Sequence, residues 1–441
     1  MHISIATVFP ELYAPFLKTS LIGRSVESGI LDISTYGFTS FVKPKEHIDV
    51  PTCGPTPGML IKPEVVDRVI QQAEAKAGKA FKIFFSPHGD MLDQKKLLLI
   101  KRKLDDRALS HVLLIAGRYE GMDARVEEYY ADEVLSVGDF VLLGGDLPAM
   151  MFIEGFVRHI PKVVGNHGSV ENDSFTGPLV DYPEYCLPVV WHDKNVPDII
   201  RSGNHKAIAE WRTQKAVERT ALLKFPWARS FHLENVQKKQ FLVSIPAHYV
   251  VLMHSEVLVG KERVVGNTSV TSIDVHDIAR SACTYGFKRF FIVTALKDQQ
   301  VIVAKFLEFW QEGDGITYNQ TRHEALARVQ VVPDLSCVRA AIAEIEGKAP
   351  VVIATSARFS GKEQERLITY DQQADVWKKK QPVLMLLGTG QGLAQECIDK
   401  ADYCLEPLQG LTEYNHLSVR SAAAIIFDRW LGLNVQQKNK K

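Results

Sequence analysis

The chain has 441 residues, 46% of them apolar and 24% charged, a balance that excludes a largely disordered protein and exceeds what one hydrophobic core normally serves. Its 52 basic and 52 acidic side chains cancel, which excludes a polycation that grips nucleic acid along its whole length, so any such surface must come from local clustering. The six cysteines (Cys53, Cys186, Cys283, Cys337, Cys397 and Cys404) form no Cys-x-x-Cys pair, which excludes the common zinc and disulfide frameworks and leaves free thiols in a reducing compartment as the expectation.

The opening run Met-His-Ile-Ser-Ile-Ala-Thr-Val-Phe-Pro has no basic flank and is too short for a signal sequence or a membrane span, so it reads as a first strand. No other apolar run approaches spanning length, the Lys-rich end (Lys438, Lys440, Lys441) reads as a frayed tail, and a cytoplasmic protein without membrane contact is expected. Residues 3–9, 81–86, 111–116 and 133–137 are β-rich runs that alternate with helical patterns, which predicts an α/β domain with a largely parallel sheet. From about 161 to 197 the texture turns to Gly, Asn, Asp and Pro, as in an irregular connection. A helix is expected after Asn204 as N-cap, with Arg212, Lys215 and Arg219 on one face. Residues 201–240 hold nine Lys or Arg against three Glu, so this face is expected to meet an RNA backbone, although a solvated helix face gives the same pattern. A second α/β pattern begins near Phe241, with strands over 249–254, 290–293, 351–354 and 383–387. The expected domains are therefore 1–160, a linker with a helical subdomain over 161–238, and 239–441.

Two glycine-bearing turns follow strands in the first half: Ala116-Gly-Arg-Tyr-Glu-Gly-Met-Asp-Ala-Arg125 and Ser136-Val-Gly-Asp-Phe-Val-Leu-Leu-Gly-Gly-Asp-Leu-Pro-Ala-Met150. Glycine lets a backbone approach a ligand closely. Neither turn matches Gly-x-Gly-x-x-Gly, so a dinucleotide-dependent enzyme lacks its fingerprint, and each turn alone reads more readily as structural.

Taken in order with Asn172-Asp-Ser-Phe175 and Ser202-Gly-Asn-His205, however, the two turns closely resemble the bacterial tRNA (guanine-N1)-methyltransferase family (TrmD type, SPOUT superfamily), from residue 1 to about 225. The resemblance implies a SPOUT-type α/β domain with a deep trefoil knot and a small helical C-terminal subdomain, which periodicity could not suggest. It implies S-adenosylmethionine as cofactor, held by Gly117, Tyr119, Glu120, Gly121, Val137, Gly138, Phe140, Leu142, Gly144, Gly145, Leu147 and Pro148. It further implies tRNA as partner, methylation of guanosine at position 37, and a homodimer whose active sites draw on both chains.

Guanine N1 carries a proton and is a poor nucleophile, so its methylation needs a general base and a cation for the charge that develops on O6. By motif matching, Asp173 is the expected base and Arg158 the expected cation. Without the resemblance, a loop Asp reads as a turn residue and a lone Arg as surface. The family also implies that Glu120 helps place a magnesium ion, although a lone carboxylate does not define a metal site. One departure stands out: where the family has a Tyr-Gly-Gly-Gly loop, this chain reads Cys53-Gly-Pro-Thr-Pro-Gly-Met59, and Pro55 stiffens it and removes an N–H donor.

In the second half, Ile273-Asp-Val-His-Asp-Ile-Ala-Arg-Ser-Ala-Cys-Thr-Tyr-Gly286, Leu387-Gly-Thr-Gly-Gln-Gly-Leu393 and Tyr414-Asn-His-Leu-Ser-Val-Arg-Ser-Ala-Ala423 resemble, in order, the three motifs of SPOUT RNA methyltransferases, over about 243 to 434. This implies a second SPOUT-like α/β knotted domain whose cofactor lies across Thr355, Gly388, Gly390, Gly392, Leu417 and Ser418, with Arg280 as an RNA or catalytic contact. His276 and His416 read as ligands or bases, or as ordinary hydrogen-bonded histidines. The competing expectation is that this domain binds RNA or dimerises without chemistry.

Overall fold

A strand buried on both faces of a parallel sheet reads as a near-continuous apolar run, and the first such run forms β1 (His2–Thr7), buried at every residue after His2. In this computed structural model, which describes residues 1–55, 57–165, 173–359 and 361–433, β1 is joined by β2 (Asp32–Gly37), β3 (Phe81–Met91), β4 (His111–Ile115) and β5 (Glu133–Ser136). The sheet runs in the order β2-β1-β4-β3-β5, with every pair parallel. Period-2 alternation feeds two cores. Ala6, Leu113 and Ile115 pack with Val65, Val66, Val69 and Ile70 of α1 (Pro63–Ala77), whereas Ile3, Ile5, Val112 and Leu114 pack with Phe152, Ile153 and Phe156 of α2 (Asp146–Val157).

The chain divides into two compact units, residues 1–176 and 177–441. The second unit opens with an irregular segment and then α3 (His205–Leu223), started as expected by Asn204, whose Oδ1 accepts from the Ala207 N–H at 3.2 Å. Its sheet comprises β6 (His248–Met253), β7 (Arg289–Val293), β8 (Val329–Val332), β9 (Val351–Thr355), β10 (Leu367–Ile368), β11 (Val383–Gly388) and β12 (Tyr403–Leu405). The order is β8-β7-β6-β11-β9-β12-β10, again all parallel. On one face Val250 and Leu252 meet Ala279 and Ala282 of α4 (Ser272–Thr284), Phe427 and Trp430 of α5 (Val419–Leu431), and Val217 and Ala221 of α3. On the other, Tyr249, Val251 and Met253 pack with Val338 and Ile342. The helical segment thus shares one core with the C-terminal sheet.

β2, β8, β10 and β12 add strands beyond those expected from the sequence; β2 reads Asp-Ile-Ser-Thr-Tyr-Gly, a polar edge with little apolar signal. Among the described residues no helix is long and apolar enough to cross a membrane, and all six cysteines are free thiols. The Lys-rich tail (Lys438, Lys440, Lys441), Asn172 of the Asn-Asp-Ser-Phe motif and Thr56 of the departing loop lie outside the described residues.

Candidate active sites

Open α/β sheets bind ligands beyond the carboxyl ends of their strands, and in the N-terminal unit a cleft of about 430 Å³ opens there. The turns after β4 and β5 form its walls. They are joined by the Gly145 N–H, which donates to the Gly117 carbonyl at 2.9 Å, and by a β-bridge between Arg118 and Gly144. Gly144 has no room for a side chain, because a Cβ would lie 2.8 Å from the Gly117 carbonyl oxygen. Gly117, Tyr119, Glu120, Gly121, Val137, Gly138, Phe140, Leu142, Gly144, Gly145 and Pro148 line the cleft; Leu147 does not, and is 59% exposed. Tyr119 holds a φ of +60°, a conformation that costs a residue with a side chain and clusters at ligand sites. The volume lies within the range of small-molecule sites, roughly 300–1,000 Å³, and a cradle of backbone groups beside the Phe140 ring fits an adenosine-bearing cofactor.

Glu120 stands on this wall, but among the described residues no group of three or more His, Cys, Asp or Glu side chains could hold a metal ion. The magnesium expectation at Glu120 therefore finds no ligand set, and no step below depends on it. The hairpin that carries the departing loop rests on the same turn: the Glu120 N–H donates to the Met59 carbonyl at 3.1 Å, and the Ile61 N–H to that of Gly121 at 3.1 Å.

Arg158 and Asp173 are brought together, the Arg158 Nη2 donating to the Asp173 carboxylate, yet neither lines the cleft. Sequence reasoning missed what stands behind the cleft. Asp146, 2% exposed, accepts from Thr7 Oγ1 at 2.6 Å, Tyr13 Oη at 3.0 Å and Arg118 Nε at 2.8 Å. The buried carboxylate fixes the half-buried Arg118 of one glycine turn to the first residue of α2. It also missed Ser86 and His88 on the cleft wall, where His88 Nδ1 lies 2.7 Å from Ser86 Oγ and Nε2 lies 2.9 Å from Glu127. The only sequence signal for these was their place just past the apolar part of β3.

In the C-terminal unit a larger cleft, about 770 Å³, opens beyond β6, β9, β11 and β12 and is closed by the N-terminus of α5. Thr355, Gly388, Gly390, Gly392, Leu417 and Ser418 all line it, and so does His416. Gly390 takes a φ of +60°, and a Cβ there would lie 2.7 Å from the Leu258 carbonyl oxygen. A backbone-lined wall of this kind again fits an adenosine-bearing cofactor. Arg280 is exposed on α4 and does not line the cleft; the cations that do are Arg263, Arg358 and Arg420. His276 is also elsewhere, its ring set edge-on against Phe306 and Trp310.

The basic face of α3 is held by its own unit. Arg212 stacks over the Tyr182 ring at 4.6 Å, Lys215 pairs with Glu218 at 2.6 Å, and Arg219 donates to the Asp181 carbonyl at 3.2 Å. Helical spacing made these residues look like a stripe for phosphate, but it could not reveal the acidic and aromatic segment that meets them.

Comparison with known proteins fits this geometry. The family described as tRNA (Guanine-1)-methyltransferase TrmD matches residues 1–226, and the family described as SAM-dependent RNA methyltransferase matches residues 247–432. A tRNA (guanine-N(1)-)-methyltransferase of Nitratidesulfovibrio vulgaris is 34% identical over 439 residues, covering 98% of this chain and 99% of its own. The protein of the same name from Oleidesulfovibrio alaskensis is 34% identical over 447 residues with the same coverage. That of Magnetococcus marinus is 37% identical over 244 residues, 54% of this chain and 94% of its own. Two parallel α/β units, each matched by an RNA-modifying family, place the chain in the class of RNA methyltransferases. It belongs to the tRNA (guanine-N1)-methyltransferase family, in a form that carries a second S-adenosylmethionine-dependent RNA methyltransferase domain behind the first.

Proposed function

We propose that the N-terminal unit methylates N1 of guanosine 37 in tRNA and that the C-terminal unit methylates a second RNA site, each from S-adenosylmethionine held in its own glycine-walled cleft. The cofactor supplies, when bound, an electrophilic methyl group on a sulfonium. The observation that carries the reading is the Arg158–Asp173 pair. Guanine presents an O6 acceptor beside an N1–H donor on one edge, and a guanidinium beside a carboxylate is the complement of that edge. Asp173 accepts the N1 proton, and Arg158 holds the charge that develops on O6.

Because this pair lies off the cleft of its own unit, it serves the cofactor of a second copy in a homodimer. Phe140, Val141, Leu143, Leu147 and Met151 support this, forming an exposed apolar set on the turn after β5 and on α2 that a symmetric dimer would cover. The glycine turns of both units are the loops we assign to trefoil knots of the SPOUT type. The tRNA backbone meets the Arg212, Lys215 and Arg219 face of α3 together with Arg280 of the second unit, in a cytoplasmic enzyme.

Methyl transfer from labelled S-adenosylmethionine to two tRNA transcripts, one with guanosine and one with adenosine at position 37, tests the first site. The reading requires one methyl group fewer per tRNA in the adenosine transcript than in the guanosine one. Equal labelling of the two transcripts would remove position 37 as the target.

A further inference from the structure

The wall of the C-terminal cleft includes a histidine that carries a buried, unpartnered nitrogen. His254, the residue after β6, is 1% exposed and lines the cleft, and among the described residues nothing bonds its Nε2. Its protonation pattern follows from its neighbours. Thr389 Oγ1 donates to the Met253 carbonyl at 2.8 Å, so its single proton is committed. Thr268 Oγ1, 2.6 Å from Thr389 Oγ1, must then be the donor to it. That leaves the Thr268 oxygen to accept from His254 Nδ1 at 2.9 Å, so Nδ1 carries the hydrogen and Nε2 is a bare lone pair. Burial pushes the imidazole down to about 4, so the ring is neutral at physiological pH and accepts rather than donates at Nε2.

A buried acceptor left without a donor keeps its full desolvation penalty, so a ligand that brings one is favoured. The walls select which donor. Arg263, Arg358 and Arg420 outnumber Asp274 and Glu406. Asp274 is already engaged by Arg420 Nε at 3.4 Å, and Glu406 accepts from the Tyr370 N–H at 3.0 Å. At the buried Nε2 itself a neutral N–H, which brings no charge to desolvate, fits better than an ammonium group. Gly388 and Gly390 leave a wall without side chains, against which a flat ring can lie.

We infer that His254 Nε2 accepts a hydrogen bond from the exocyclic amino group of an adenine-type ring bound in this cleft, which makes it a specificity residue of the second site. The inference rests on the reading of this cleft as a methyl-donor site, and the ring belongs either to the donor or to the RNA base.

Calorimetric titration of the full chain with S-adenosylhomocysteine and with its 6-oxo (inosine) analogue reads the first source. Two molecules of S-adenosylhomocysteine bind per chain; His254→Leu weakens one of them by about tenfold, and the native chain disfavours the 6-oxo analogue at that site by a similar factor. Thr268→Val, which keeps the imidazole but releases the tautomer, shifts binding the same way and serves if His254→Leu does not fold. If instead S-adenosylhomocysteine binds unchanged, while the KM for bulk tRNA of the methylation that survives Asp173→Ala rises and kcat holds, the amine is the RNA base's. Two molecules per chain with affinity and KM both unmoved overturn the inference. One molecule per chain means that the methyl-donor reading fails first, and the inference falls with it.

Discussion

The Arg158 guanidinium donates to the Asp173 carboxylate with both side chains about two-fifths exposed, a pair that water and substrate can open. Exposed ion pairs contribute at most about 1 kcal/mol to stability, whereas a general base contributes roughly 10²–10⁴-fold to rate. Asp173→Ala is therefore expected to leave the thermal midpoint nearly unchanged while tRNA methylation by the first unit falls by at least about a hundredfold. Arg158→Lys keeps a charge but loses the planar fork and should retain more activity than Arg158→Ala. A large fall in the midpoint of Asp173→Ala would assign the pair to the scaffold instead.

Asp146 accepts from three side chains and is buried. Burial and the adjacent Asp146 charge also hold the Tyr13 phenol well above its ordinary range. Removing the carboxylate leaves the Arg118 charge and two hydroxyl donors without their acceptor, so Asp146→Ala should destabilise the N-terminal unit by about 3 kcal/mol in urea unfolding. Thr7→Val removes one bond of the network and should cost about 1 kcal/mol. Equal effects of the two substitutions would contradict the central place given to Asp146.

Acid should weaken the second unit. His248 Nε2 accepts from the indole N–H groups of Trp377 at 3.2 Å and Trp430 at 3.0 Å, while Nδ1 donates to the Pro246 carbonyl at 2.7 Å. Burial holds this ring, like that of His254, down at about 4 against 6.5 when unfolded. The native form stays neutral while the unfolded chain binds protons below 6.5, so the stability present above pH 6.5 is lost as pH falls toward 4. The slope is about 1.4 kcal/mol per pH unit for each histidine. All six tryptophans lie in residues 177–441, so their fluorescence follows this unit alone. A urea midpoint that stays flat from pH 7 to pH 5 would contradict the buried neutral state.

The glycine cradles give a paired prediction. A methyl group at Gly144 meets the Gly117 carbonyl, and one at Gly390 meets the Leu258 carbonyl at a backbone φ of +60°. Gly144→Ala should weaken donor binding in the first cleft and spare the second, and Gly390→Ala should do the reverse. Titration with S-adenosylhomocysteine separates them; loss at both sites from either substitution would mean that the clefts are not independent.

The parallel-sheet class, the first strand in chain order of each parallel sheet and most of both glycine walls were legible because buried parallel strands and backbone-lined turns leave strong local signatures. Strands such as β2 and the two-residue β10 were not, because pairing with a neighbour, and no pattern of their own, makes them strands. Asp146 and His254 were missed for a related reason. Each is a single polar residue beside an apolar run, and its importance comes from residues far away in sequence: Thr7 and Tyr13 for Asp146, Thr268 and Thr389 for His254. The α3 face was legible only in part, since spacing displayed its charges but not the Tyr182 ring and the Asp181 carbonyl that meet Arg212 and Arg219.

Nucleoside mass spectrometry of tRNA incubated with S-adenosylmethionine and either the native chain or Asp173→Ala tests the central assignment most directly. The account predicts 1-methylguanosine from the native chain and none above background from the variant, with both proteins taking up the same amount of donor. Undiminished 1-methylguanosine from Asp173→Ala would contradict it.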